Sequence, residues 1–495
     1  MRNRGQREAL IRENCGESDS RVDMGNTGLN IDASVAMQKP IPLDLPSESI
    51  LAWEHGAYSQ TDYGGILLKG RCNIEAMMDA FRRAQLDRPT FRSNLIRVKR
   101  GLWEGYAWRI SDRFNELDVR DFSHLESLPE DLDAWLHAQM APHIETLQDL
   151  SVEFPIRLVL FVLPEGSSII VLMMHHVATD GGGVYDFLRQ VFRHYHRTVT
   201  GAEPEWADVP GLHAQVGKAE PVKPAGALDF LKFYIPQLIA YPAWKLVQFR
   251  STPSAPRGRI LVRHIIDDTA LQKALRDRAR KAGGTLTDLM VAGSKLAIEQ
   301  WNQEHNAPYE LMLHGIAVNQ RLRRDPSETQ GLGNPMSAIG IPSNPGHRRD
   351  PEFLLRYIIE QRKLRLALGH DITLAKITRF IMRASHLLPL DIRYRAIRPI
   401  LDSKLTHFIT NLGVIWPKTE NGKFTGDSAI RQVGELELQG MYSCVGTTEN
   451  NPQVLIVRSF LGRLYMDMSY GRWRVNEADA KGFSKLVYDK VLGYL

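Results

Sequence analysis

One stretch constrains this chain more than any other: Met173-Met174-His175-His176-Val177-Ala178-Thr179-Asp180-Gly181-Gly182-Gly183. It holds a His-His-x-x-x-Asp-Gly string between an apolar run and a segment of helical periodicity. Such a string arises by chance in roughly one in several hundred chains of this length. Residues 156–163 and 168–174 are apolar and β-branched, separated by the turn-forming Pro164-Glu165-Gly166. They read as a buried hairpin whose second strand delivers the two histidines. Behind the glycines, Val184, Phe187, Leu188 and Val191 recur at helical spacing, with Gly201 as the stop. The fold must therefore supply a strand, a tight glycine loop and a helix, in that order. A second His-x-x-x-Asp, at His264 and Asp268, sits in a strand-like run without a following glycine and imposes nothing comparable.

Histidine titrates near neutral pH and is the usual general base. Adjacent residues of an extended chain point to opposite sides, so one histidine faces a site and the other the interior. His176 is expected to be the base and His175 a buried, hydrogen-bonded support. Asp180 either orients the imidazole directly or holds the loop by pairing with a distant arginine, and Gly181 lets the backbone turn. The chain has no Gly-x-Ser-x-Gly elbow, P-loop, dinucleotide fingerprint or His-Glu-x-x-His pair. Its three cysteines, Cys15, Cys72 and Cys444, are odd in number and widely spaced, which fits neither a disulfide framework nor a zinc site. No metal and no cofactor are expected.

Further stretches follow in a telling order: Pro89-Thr90-Phe91-Arg92-Ser93, Gly284-Thr285-Leu286-Thr287-Asp288-Leu289-Met290, Val318-Asn319-Gln320-Arg321, Gly333-Asn334-Pro335-Met336-Ser337, Thr410-Asn411-Leu412-Gly413 and Leu464-Tyr465-Met466-Asp467-Met468-Ser469-Tyr470. With the histidine string, they resemble the condensation-like, CoA-dependent acyltransferase superfamily. That group includes nonribosomal peptide condensation domains, alcohol acetyltransferases, wax ester and diacylglycerol synthases, and polyketide-associated acyltransferases. The likeness spans from about residue 45 to the C-terminus. Thr410 stands where serine is commoner and Phe91 where leucine is.

The resemblance implies an α/β protein with mixed sheets: two chloramphenicol-acetyltransferase-like lobes forming a V, with a tunnel between them. It implies a stand-alone acyltransferase moving an acyl group from an acyl-CoA or acyl-carrier thioester to an alcohol or amine. His176 would be the base. Asp180 would pair across the lobes with Arg321, supported by His175 and Gly181, and Asn411 would touch substrate. The alternatives are a peptide-type condensation enzyme acting in trans on carrier-bound substrates, and a non-catalytic scaffold for acyl chains or carriers.

Domain organisation follows from composition. At 495 residues the chain is long enough for two lobes. Residues 1–45 are polar and read as a disordered tail, with neither signal peptide nor anchor. Residues 46–211 form an N-terminal lobe, 212–256 a linker and amphipathic crossover, and 257–495 a C-terminal lobe. Hydrophobic content of 43% and charged content of 24% suit a cytoplasmic globular enzyme. Two segments leave several readings open: the first packs in the fold, bridges the lobes or lies peripherally on a membrane, and the second is a solvated helix face or receives CoA phosphates, an acidic carrier protein or anionic lipid headgroups. Residues 228–249 are rich in Leu, Phe, Tyr, Trp and Ile, but Lys232, Pro236, Pro242 and Lys245 interrupt them. Residues 356–404 hold eleven Lys or Arg against four Asp or Glu, a local +7 against +5 for the whole chain. A nucleic-acid partner is not expected, since no recognition motif accompanies that charge.

Overall fold

The computed structural model describes residues 39–54, 58–100, 103–207, 226–319, 336–420 and 423–495. Helix α1 (Leu45–Trp53) leads into strand β1 (Thr61–Lys69) and helix α2 (Ile74–Asp87). A hairpin of β2 (Ser93–Arg100) and β3 (Trp103–Ile110) follows, then β4 (Asp118–Asp121) and α3 (Leu132–Ile144). The hairpin of β5 (Ile156–Val162) and β6 (Ser167–His175) feeds α4 (Gly181–Thr200). Helix α5 (Ala227–Ala240) precedes the second half, which opens with β7 (Arg259–Ile266), α6 (Thr269–Lys281) and α7 (Leu286–Glu304). Strands β8 (Met312–Asn319) and β9 (Met336–Ser343) precede three helices, α8 (Pro351–Ala367), α9 (His370–Ser385) and α10 (Leu390–Leu401). The chain then runs through β10 (His407–Val414), β11 (Pro417–Glu420), β12 (Lys423–Ser428), β13 (Gln432–Val433) and β14 (Leu436–Cys444). It ends in β15 (Gln453–Phe460), β16 (Arg463–Gly471) and α11 (Glu477–Leu492).

Two mixed six-stranded sheets organise these elements, in the orders β13-β14-β1-β6-β5-β4 and β9-β8-β10-β15-β16-β7. Strand β6 lies inside the first sheet and is buried on both faces, which is why it reads as an unbroken apolar run. Ile170, Leu172 and Met174 pack with Phe81 of α2 and Phe187, Leu188 and Val191 of α4. Ile169, Val171 and Met173 pack on the other face with Leu136, Met140 and Ile144 of α3. Helix α4 stops at Gly201, whose φ of 73° is left-handed. Helix α3 starts three residues after Pro129, because the Asp131 carboxylate caps it by accepting from Ala134 N–H.

The second half lends strands to the first sheet. Residues 436–444 come from the second half, yet β14 pairs antiparallel with β1 of the first sheet, setting Met441 opposite Ile66 and Cys444 opposite Tyr63. The span 257–495, expected as a single C-terminal lobe, thus supplies two strands of the first sheet. A buried ionic cluster binds the halves beside that strand. Arg263 Nε donates to Asp467 Oδ1 at 3.0 Å, and the same guanidinium pairs with Asp133 of α3. Arg458 also pairs with Asp467, while Ser443 of β14 donates to its Oδ2 at 3.0 Å. Burial pushes the Asp467 carboxyl up, but Arg263 and Arg458 outweigh it and hold it below the usual carboxylate range.

Candidate active site

His175 is the last residue of β6 and lies opposite Thr61 of β1. Its ring is fully buried. Nδ1 accepts from Val177 N–H at 3.2 Å, which leaves the ring proton on Nε2, 2.8 Å from Glu54 Oε2. Burial pushes the Glu54 carboxyl up, and the His175 ring, Gln60 N–H and Arg259 together bring it below its ordinary value. His175 therefore cross-links the end of α1 to the histidine loop.

His176 emerges one residue past the strand. Its N–H donates to Gln60 O at 2.8 Å, so β1 still holds the backbone where the ring leaves the sheet. The His176 side chain is 15% exposed, and its Nε2 stands 4.0 Å from Asp62 Oδ2, a carboxylate only 6% exposed. Burial raises the Asp62 carboxyl above the usual range, although His176, Arg259 and Gly446 N–H each pull it down. Arg259 of β7, from the other half, braces this region by donating to Thr61 O at 2.8 Å and also to Ser59 O. The arrangement presents an imidazole at a seam between the halves with an anion behind it. Such a pair can accept a proton and stabilise the resulting imidazolium.

The loop after the histidines is built for tightness. Asp180 caps α4, its Oδ1 accepting from Gly183 N–H at 3.0 Å. A Cβ on Gly183 would fall 1.8 Å from Thr179 Oγ1, so a side chain there would force Thr179 to move. A Cβ on Gly181 would lie 3.5 Å from Leu412 Cδ2 of β10, which puts the helix start against the second half. Arg321, the expected partner of Asp180, and Gly333 to Pro335 of the Gly-Asn segment lie outside the described residues. Asn411 is exposed in β10. Its Nδ2 donates to Thr287 Oγ1 at 3.0 Å, and its Oδ1 accepts from Gly413 N–H at 2.8 Å across a bulge. Arg92 is a buried brace that donates to Ser111 O. His264 stacks on Tyr488 and Asp268 caps α6, so the second His-x-x-x-Asp is two separate structural residues. A cavity of about 590 Å³ between Trp244, Gln248, Lys404 and Arg474 touches neither histidine.

Glu54, Asp62 and Arg259 were not among the residues singled out from the sequence. Asp62 leaves a trace there, a lone acid opening the apolar run Tyr63 to Leu68, whereas Glu54 and Arg259 leave none.

No family model matches the chain. Over 151 residues, 28% of its length, it is 29% identical to the probable nonribosomal peptide synthetase CymA of Salinispora arenicola, and the match spans 2% of that protein. Solved structures align far more widely. The trichothecene 15-O-acetyltransferase of Fusarium sporotrichioides aligns with a TM-score of 0.64 at 12% identity, over 92% of this chain and 94% of that one. The first condensation domain of the calcium-dependent antibiotic synthetase gives 0.64 at 13%, over 92% and 96%. This chain has the condensation-domain and acetyltransferase fold. The starter condensation domain of rhizomide synthetase, solved with C8-CoA and Leu-SNAC, shares that condensation fold with a TM-score of 0.61 at 15% identity, over 94% and 97%.

Proposed function

We infer that the chain transfers an acyl group from a thioester to an alcohol or amine, with His176 as general base. The observation that carries this reading is the accessible His176 ring at the end of a buried strand, its Nε2 4.0 Å from the Asp62 carboxylate. The acceptor oxygen or nitrogen forms a bond to the thioester carbonyl carbon as its proton passes to the imidazole. The tetrahedral adduct then breaks its C–S bond, and the imidazolium gives the acceptor's proton to the departing thiolate. Asp62 stabilises the transient imidazolium, and holding both substrates at one seam lowers the entropic barrier to their encounter. Asp180 caps the helix that follows the base, and Asn411 borders the substrate with its exposed side chain. A structural neighbour solved with C8-CoA supports acyl-CoA as donor.

Condensation of carrier-bound substrates in trans is the second reading, favoured by the stretch shared with a peptide synthetase. The test is thiol release from acetyl-, octanoyl- and palmitoyl-CoA with a panel of alcohols and amines, wild type beside His176→Ala. Acceptor-dependent release that falls by about a thousandfold in a folded variant is the expected result. Equal rates in both proteins would remove His176 as the base. Activity only with carrier-bound thioesters would favour the second reading, and acyl binding without turnover on any donor would leave a scaffold.

A further inference from the structure

Helix α5 packs its inner side on α8 and α9. Phe233 lies 4.2 Å from the His370 ring and under the Arg365 guanidinium, and Gln237 accepts from Arg365 at 2.8 Å. Its outer side is the opposite of an ordinary surface helix. Leu228, Leu231, Ile235 and Ile239 fall on one stripe at steps of three and four residues, each between 48% and 74% exposed. The stripe is about 16 Å long, and just past it Trp244 is 81% exposed. Helix α9 repeats the pattern with cations added. Met382 of α9 and Ile397 of α10 are buried against Ala52 of α1. The outer side of α9 carries Lys376, Phe380 and Arg383, followed by Leu387, and that of α10 carries Ile392 and Ile400. Phe380 and Leu387 are 71% and 73% exposed.

We propose that α5, α9 and α10 form a docking surface for an anionic lipid bilayer. The argument rests on the kind of surface. Protein interfaces gather aromatic residues and deplete lysine at their cores, whereas helices lying in a bilayer interface combine Leu, Ile, Phe and Trp with Lys and Arg. Here the apolar side chains stand on outward helix ridges, and α9 and α10 place exposed positive charge beside them at Lys376, Arg383 and Arg395. Anionic headgroups complement that charge, and the aliphatic stripe supplies insertion. No helix among the described residues is long and apolar enough to cross a membrane, so the contact is peripheral. It does not depend on the catalytic reading.

Co-sedimentation of the full chain, without substrate, tests the proposal. Vesicles of phosphatidylcholine alone are compared with equal mixtures of phosphatidylcholine and phosphatidylglycerol. Binding to the mixed vesicles only, weakened by salt, is expected. Ile235→Glu with Ile239→Glu, and separately Lys376→Glu with Arg383→Glu, should each lower the bound fraction about tenfold or more while thermal midpoints hold. His176→Ala should bind as wild type, which separates this result from the fate of the catalytic reading. No binding, equal binding to both vesicle types, or binding untouched by either pair of substitutions would overturn it. So would a wild-type dimer in light scattering that Ile235→Glu with Ile239→Glu converts to monomer, which would assign the face to a second copy.

Discussion

At the scale of single residues, the site depends on two contacts, one set by β-ladder register and one by the tight turn into α4. Pairing of Thr61 with His175 carries Asp62 to the side on which His176 leaves the strand. Asp62→Asn removes the charge while keeping an acceptor for Gly446 N–H, so kcat should fall by about ten- to a hundredfold at neutral pH with stability little changed. Because burial raises the Asp62 carboxyl, its protonation removes that charge at a pH above the ordinary carboxylate range. A pH–rate profile should show activity lost through this step as pH falls, and the step should be missing in Asp62→Asn. The second contact is Gly183 against Thr179. Gly183→Ala should cost about 2–3 kcal/mol in denaturant unfolding, because the new methyl overlaps the Thr179 hydroxyl. Pairing it with Thr179→Ala should recover part of that loss, since the overlapping oxygen is then gone. The role of Asp180 was also hidden at this scale. The sequence suggests that Asp180 orients the imidazole or pairs with a distant arginine, and neither use includes its capping of α4, which needs only the local chain.

At the scale of elements, the strand–loop–helix unit was readable because every part of it is local. Hairpin, turn and helix lie within residues 156–201, and their periodicities change where the structure changes. Strand β14 is the counterexample. Leu436 to Gln439 alternate as an ordinary strand does, and nothing in Leu436 to Cys444 says that their partner is β1, hundreds of residues earlier. What fixes them there includes the Asp467 cluster, assembled from α3, β7, β14, β15 and β16. Asp467→Ala leaves Arg263 and Arg458 buried with an anion removed, and should destabilise the protein by about 3–5 kcal/mol. Urea unfolding measures this, and a change below about 1 kcal/mol would show the cluster to be neutral rather than a lock.

At the scale of the whole molecule, the second half hides a polar knot. Ser294 Oγ lies 2.6 Å from His407 Nδ1 and 3.1 Å from His314 Nε2, and Lys295 Nζ lies 3.3 Å from His314 Nδ1. All four side chains are buried between α7 and the second sheet. Burial pushes His407 down to about 3, and burial together with Lys295 pushes His314 well below its ordinary value. Lys295 is pushed well down by burial and by Arg348 and Arg365. The folded protein therefore refuses protons that the unfolded chain accepts. For the histidines, stability should begin to fall as pH drops below about 6.5, by about 1.4 kcal/mol per pH unit for each, until the folded-state value is reached. For His407 that limit is near 3. Chemical denaturation between pH 7 and 4 should thus be steeper for wild type than for His407→Leu, and parallel curves would refute a neutral buried His407.

The sequence alone determined the local unit that carries the histidines and the resemblance that the fold matches. These rest on side-chain periodicity, turn chemistry and residue order, all of which are written within short stretches. Only the tertiary structure decided which carboxylates meet the two histidines, that two strands of the second half join the first sheet, and that the apolar segment 228–249 and the basic segment 356–404 become neighbours. Those facts depend on register and packing between segments far apart in the chain, where burial and charge, rather than any local pattern, select the partner.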